Sequence, residues 1–154
     1  MLQSLLIVLH VLSVVIWVGG MFFAWMFTRP AAVEALEPPQ RLKLWNGIFR
    51  RFFPWVWATI IAILVSGYAY IFLIFGGMGG AGLYVHAMNG LGFLMMALFF
   101  HVFFVPYRRL ARAVAAEDWQ EGGRNLAQIR MIVGWNTLLG ILVIAIGAGG
   151  RYLV

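Results

Sequence analysis

Four long apolar segments, separated by polar stretches rich in arginine, are the feature that most constrains this chain. Of its eleven lysine and arginine residues, ten fall in two of these polar stretches. The first stretch holds Arg29, Arg41, Lys43, Arg50 and Arg51, and the second holds Arg108, Arg109, Arg112, Arg124 and Arg130. The connection between the second and third apolar segments, residues 76–84, carries no charge. Because basic loops stay on the cytoplasmic side of a membrane, the pattern predicts four spans with both termini on the periplasmic side.

The composition is typical of an integral membrane protein. Hydrophobic residues make up 64% of the chain and charged residues 10%, against about 25% charged in soluble domains. A membrane span needs about 20 apolar residues, and such segments cover about 5–27, 54–75, 84–105 and 131–149. Residues 40–53 are basic and aromatic, which predicts an interfacial helix on the cytoplasmic side. We expect residues 1–154 to form a single transmembrane domain, an all-α four-helix bundle with up-down-up-down connections.

Proline and glycine residues predict where the helices begin, break and approach each other. Pro54 suits the first turn of a helix, so the second span is expected to begin there. The pair Gly122-Gly123 predicts a break within the second polar stretch. Gly140 and Gly147 lie seven residues apart on one face of the fourth span, which allows close approach of a neighbouring helix.

The net charge and the absent cysteines restrict the classes of function. The net charge of +6 is divided between two loops that flank apolar spans, so lipid headgroups explain it better than nucleic acid. The chain has no cysteine, which excludes disulfides, thiolate metal sites and cysteine-ligated iron–sulfur clusters. All five carboxylates lie in the two polar stretches. We therefore expect lipid and not nucleic acid as a partner, and no hydrolytic or ATP-driven chemistry.

Two histidines within the apolar segments are the main candidates for a functional site, because ionisable residues inside a bilayer are costly and usually functional. His10 is in the first span and His86 is in the third. With a rise of about 1.5 Å per residue, their depths below the periplasmic surface differ by only about 5 Å. Two neutral imidazoles at matched depth on different helices are what a haem iron or a copper ion requires.

The residues around these histidines are compatible with a haem pocket. Gly90, one turn beyond His86, leaves room for a flat macrocycle, and Trp17 continues the helix face of His10. Such a stripe is also typical of an ordinary bundle core. Arg151, the basic residue on the predicted outer side, offers a guanidinium for haem propionates, although a terminal arginine also snorkels without any ligand.

The third histidine is expected to have a different role. His101 lies fifteen residues beyond His86 in the same span, which places it about 22 Å deeper. It therefore cannot share a site with His10 and His86. Asn136, about one turn inside the fourth span, is its expected hydrogen-bond partner, and a second ligand site is the alternative.

Two stretches of the chain resemble known membrane protein families. The first-span sequence LHVLSVVIWVGGMFF and the run YVHAMNGLGFLMMALFFHVFFVPYRRLARAV resemble CopD-type membrane proteins of bacteria and, more distantly, HemJ-type protoporphyrinogen oxidases. The CopD resemblance implies an inner-membrane protein linked to copper handling. The HemJ resemblance implies a b-haem held partly by His10 and the oxidation of a porphyrinogen. The HemJ pattern has a lysine just after the third-span histidine, whereas Ala87, Met88 and Asn89 follow His86 here.

The leading hypothesis from the sequence is a multi-pass b-type haem protein of the bacterial inner membrane. His10 and His86 would bind haem b near the periplasmic face, and electrons would pass to or from a quinone or a redox protein. An enzyme of this kind would be a haem-dependent membrane oxidoreductase, and a homo-oligomer is compatible with it. The first alternative is copper transport or resistance, with Met88 and Met21 as additional soft ligands. Porphyrinogen oxidation and a structural subunit that docks through residues 41–53 are the further alternatives.

Overall fold

The computed structural model of the chain describes residues 1–152, apart from the side chain of Arg151, and consists mainly of four long helices. Helix α1 covers Leu2–Ala35, α2 covers Pro38–Ile74, α3 covers Leu83–Ala115 and α4 covers Trp119–Gly149. Each helix contains a stretch long and apolar enough to cross a membrane. The predicted all-α bundle with four apolar helices is therefore confirmed. The side of the membrane that each end faces stays a prediction.

Local departures from α-helical bonding occur next to prolines. A π-turn at Ala24–Thr28 lies just before Pro30 in α1, and a π-turn at Phe103–Tyr107 includes Pro106 in α3. Proline lacks an amide donor, and its ring crowds the carbonyl one turn earlier. The wider π-turn allows both helices to continue past these prolines. Short 3₁₀ turns at Met78–Gly80 and Gly150–Tyr152 follow α2 and α4.

Pro54 lies inside α2, so the prediction that a helix begins there is wrong. The interfacial segment predicted at 40–53 and the span predicted from 54 form one continuous helix. Phe53, beside the proline, packs against Tyr107 and Phe99 of α3, with ring centroids 4.8 and 5.4 Å apart. Proline is tolerated in membrane helices that pack against neighbouring helices, and Pro54 lies beside such a packing contact.

The second polar stretch breaks before Gly122-Gly123, so the prediction of a break at these glycines is also wrong. Glu117 adopts a left-handed conformation with a φ of 55°. The side chain of Asp118 then accepts a hydrogen bond of 3.0 Å from the backbone N–H of Glu121, which is the usual arrangement at a helix N-terminus. Because Asp118 provides the helix start, the glycine pair lies inside α4.

The four helices pack as two antiparallel pairs. In the first pair, the Gln3 side chain near the start of α1 donates a 3.1 Å hydrogen bond to the Tyr70 hydroxyl near the end of α2. In the second pair, Asn136 of α4 donates a 3.3 Å bond to the backbone carbonyl of Met95 in α3. These contacts fix the register of each pair and so decide which side chains share a depth.

A layer of aromatic side chains fills the middle of the bundle. The ring of Phe99 lies 6.3 Å from Trp17, 5.4 Å from Phe53, 5.5 Å from Trp57 and 6.0 Å from Phe103, measured between centroids. We call these five side chains the aromatic layer. One cavity lies on each side of it, and the two cavities share no lining residue.

Candidate functional site

One of the two cavities lies toward the glycine-rich connection, and we call it the outer cavity after the predicted orientation. Its volume is about 230 Å³ and all four helices contribute to its walls. The walls are mainly aliphatic and aromatic. Apart from Trp17, the polar side chains that line the cavity are His10, Ser66, Tyr68, Tyr70, Tyr84 and Asn89.

His10 is held by one turn of α2. Its Nδ1 lies 3.1 Å from the hydroxyl oxygen of Ser66. The Ser66 hydroxyl donates its own proton to the carbonyl of Ala62, so its oxygen accepts from His10. This arrangement favours the tautomer with the ring proton on Nδ1, which leaves the Nε2 lone pair open to a ligand.

The neighbourhood of His10 leaves Nε2 available. Among the described residues, Nε2 has no side-chain partner and is not a buried unsatisfied atom. A Cβ at Gly67 would lie 3.1 Å from His10 Cε1, so the missing side chain there makes room for the ring. An imidazole anchored through Nδ1 with Nε2 open is the usual arrangement of a histidine metal ligand.

Three methionines of α3 line the same cavity, namely Met88, Met95 and Met96. The Met88 sulfur lies 3.1 Å from the position that a Cβ would take at Gly147, and Met95 Cε lies 3.2 Å from the same position at Gly140. The predicted close helix approach at these two glycines is confirmed. Gly147 therefore accommodates Met88, whereas Gly140 accommodates Val18 of α1, whose methyl groups lie 2.7 and 2.9 Å from its Cβ position, together with Met95.

His86 does not lie in the same cavity as His10. It is exposed and is not among the residues that line the outer cavity. The residues of α3 that face the cavity include Val85, Met88 and Gly92, and successive helical residues are rotated by about 100°, so His86 belongs to a different face. The described arrangement therefore does not form the predicted site with both histidines on one iron.

Of the remaining predicted site residues, some line the outer cavity and others do not. Trp17 lines the outer cavity and is buried. Gly90 is exposed, with nothing within 4 Å of its Cβ position, and Gly92 occupies the cavity wall instead. Met21 is buried in the core and does not line the cavity. The side chain of Arg151 lies outside the described residues, so its predicted contact with propionates stays a prediction.

The predicted hydrogen bond between His101 and Asn136 is wrong. His101 is exposed, and its Nε2 lies 3.3 Å from Nε2 of Gln128. Asn136 instead donates to Met95. Gln128 lies about two helical turns before Asn136 in α4. His101 therefore lies about two turns away from the depth that its predicted pairing with Asn136 implied.

Two polar residues of the site were missed by the sequence interpretation. Ser66 contacts Nδ1 of His10, and Tyr68 donates a 3.2 Å hydrogen bond to Asn89, which also lines the cavity. The signal was present in the pair Ser66-Gly67 within an apolar span, because small polar residues in membrane helices mark close helix contacts.

The chemistry of the lining residues fits a soft metal ion better than haem. No group of three or more His, Cys, Asp or Glu side chains lies together in the described part of the chain. A metal in the outer cavity would therefore rest on His10 and thioethers, which are ligands that favour copper(I). A haem held by His10 and His86 together does not fit, because His86 lies off the cavity.

Comparison with known families gives one match. Residues 46–149 match the family described as CopD, copper resistance protein D. The matched region is more than half of the chain and includes all of the third apolar segment, but it begins after His10. No curated protein and no solved structure matches the chain. The chain therefore belongs to the CopD family and is a multi-pass protein of the inner membrane.

Proposed function

We propose that the protein binds copper(I) in the outer cavity as part of copper resistance, with His10 Nε2 and the Met88 sulfur as ligands. The observation that carries this proposal is the anchored imidazole of His10, which shares a cavity with three methionine side chains. Copper is cargo in this proposal. Membership of the CopD family supports the choice of metal.

The character of the cavity supports selectivity for copper(I). Among the described residues, no Asp, Glu, Lys or Arg lines it. Hard cations such as Mg²⁺ and Ca²⁺ need several oxygen ligands, with carboxylates prominent among them, so this lining disfavours them. A neutral imidazole and neutral thioethers bind a soft monovalent ion without adding buried negative charge.

The aromatic layer restricts the route of the ion. Met95 and Met96 line the inner part of the outer cavity, and Trp17 and Phe99 of the aromatic layer are both at least 95% buried. In this conformation copper would therefore enter and leave through the same end. Such a protein receives or passes on copper at one face of the membrane, and a channel function would require the aromatic layer to open.

The proposal is tested by titrating the detergent-purified protein with copper(I) against a chromogenic chelator. We expect His10→Ala to weaken copper binding by at least about 100-fold, since changes in residues that only support a metal ligand already cost about 10- to 100-fold. His86→Ala is the matched control and should bind copper as the wild type does. Met88→Leu should weaken binding, whereas Met131→Leu, an exposed methionine of α4, should not.

Two further measurements make the outcome decisive. Thermal unfolding of each variant in detergent separates a lost ligand from a lost fold. A visible spectrum of the purified wild type tests the haem hypothesis directly, and we expect no haem band. Unchanged copper affinity in a folded His10→Ala protein, or a haem band that this substitution removes, would overturn the proposal.

A further inference from the structure

The second cavity lies beyond the aromatic layer, at the end of the bundle that carries the two basic stretches. Its volume is about 220 Å³, and we call it the basic cavity. Arg29 of α1, Arg41 of α2 and Arg130 of α4 all line it. Three helices therefore each contribute one guanidinium group to one concave site.

Within residues 1–152, none of these three arginines forms an ion pair with a carboxylate. Among the described residues, the ion pair formed is that of Arg124 with Glu121, at 3.7 Å, and neither residue lines the basic cavity. Arg29, Arg41 and Arg130 are each half-buried and line the same cavity. Like charges in a partly desolvated site repel each other, and a bound anion would relieve that repulsion.

The other walls of the basic cavity are aromatic and aliphatic. Trp25, Trp45 and Trp119 line it, and none of their indole N–H groups has a hydrogen-bond partner among the described residues. Trp25 is held close to α4, because a Cβ at Gly134 would lie 2.9 Å from its Nε1. Tryptophans at this level are typical of the lipid headgroup region, where an apolar ring and a polar N–H are both satisfied.

The three arginines and the apolar walls together indicate which kind of ligand the basic cavity would bind. Guanidinium groups bind phosphate in a bidentate manner, and the apolar walls suit an attached hydrocarbon chain. We propose that the basic cavity binds the phosphate-bearing headgroup of an anionic phospholipid from the adjoining leaflet. Free phosphate shares the charge but makes no use of the apolar walls. The copper proposal uses none of these residues, so the two proposals stand or fall separately.

Native mass spectrometry of the detergent-purified full chain with added phosphatidylglycerol, phosphatidylcholine or inorganic phosphate tests this proposal. We expect the wild type to retain phosphatidylglycerol at least about tenfold more strongly than phosphatidylcholine, with no displacement by millimolar inorganic phosphate. The triple variant Arg29→Gln, Arg41→Gln, Arg130→Gln should lose that preference.

A matched control removes the same charge from outside the cavity. Arg50, Arg109 and Arg112 are exposed and do not line it, so the triple variant R50Q, R109Q, R112Q should keep the preference for phosphatidylglycerol. Thermal unfolding and copper binding should be unchanged in both triple variants. Equal loss in the two variants would show a nonspecific charge effect and overturn the proposal. Displacement of the lipid by inorganic phosphate would overturn it in favour of a free anion.

Discussion

The outer cavity and the basic cavity have nearly the same volume but opposite electrostatic character. In the outer cavity, the Nδ1 of His10 contacts the Ser66 hydroxyl, and no charged side chain lines the walls among the described residues. Three arginines line the basic cavity, and no Asp or Glu lines it among the described residues. One bundle therefore offers a site suited to a soft cation at one end and a site suited to an anion at the other.

The separation of the two cavities affects the electrostatics of the proposed copper site. Arginine charges near the outer cavity would repel a copper ion, and Coulomb repulsion is strong where water is excluded. The aromatic layer, packed around Phe99, separates the cavities with apolar material. The two arginine-rich stretches, which direct membrane insertion, are thereby kept apart from the outer cavity, whose described lining residues include no Lys or Arg.

The largest expected effect is a difference in cysteine labelling that shows which side of the membrane each cavity faces. The chain has no native cysteine, so single cysteines can be introduced and labelled without background. We expect a membrane-impermeant maleimide applied to spheroplasts to label Gly79→Cys, in the turn beside the outer cavity. It should label Ala116→Cys, at the basic end, only after the membrane is permeabilised.

Both positions suit this experiment. No atom lies within 4 Å of a Cβ at Gly79, and Ala116 is exposed, so neither substitution should disturb packing. Labelling of Ala116→Cys in sealed spheroplasts, with Gly79→Cys protected, would reverse the orientation. The outer cavity would then receive copper from the cytoplasm.

A smaller effect is expected from the hydroxyl that orients His10. Ser66→Ala removes the acceptor for Nδ1 and allows the ring to adopt the other tautomer, so copper(I) affinity should fall by about 10-fold, the lower end of the range for residues that support a metal ligand. The measurement is the same chelator competition. Ser13→Ala is the control, because the hydrogen bond that the Ser13 hydroxyl forms within the described part of the chain goes to the Leu9 carbonyl of its own helix, at 2.8 Å. Equal affinities in these two variants would show that Ser66 does not orient the ligand.

Much of the fold follows from the order of residues along the chain. The four apolar segments and the matched glycines of α4 were predictable, because span length and small-residue spacing are local properties. The behaviour of Pro54 was not, since its place inside α2 depends on contacts between Phe53 and the distant residues Phe99 and Tyr107. The helix start at Asp118 was missed although its capping side chain was visible in the sequence.

The candidate site was predictable only in part. His10 and Trp17 were correctly placed on a common helix face that lines a cavity. Depth alone could not decide whether His86 faces His10, because helix rotation depends on which face packs, and the face with Val85 and Gly92 lines the cavity instead. Rotation of a helix in a bundle is set by its neighbours, and a mostly apolar sequence carries little information about it.

The most direct test of the copper site is X-ray absorption at the copper K-edge of the detergent-purified protein loaded with one equivalent of copper(I). We expect a first shell that contains both nitrogen and sulfur. The nitrogen contribution should be lost in His10→Ala and the sulfur contribution reduced in Met88→Leu, with His86→Ala unchanged from the wild type. A first shell without sulfur, or one that is the same in the His10→Ala and wild-type proteins, would contradict copper binding by His10 and Met88 in the outer cavity.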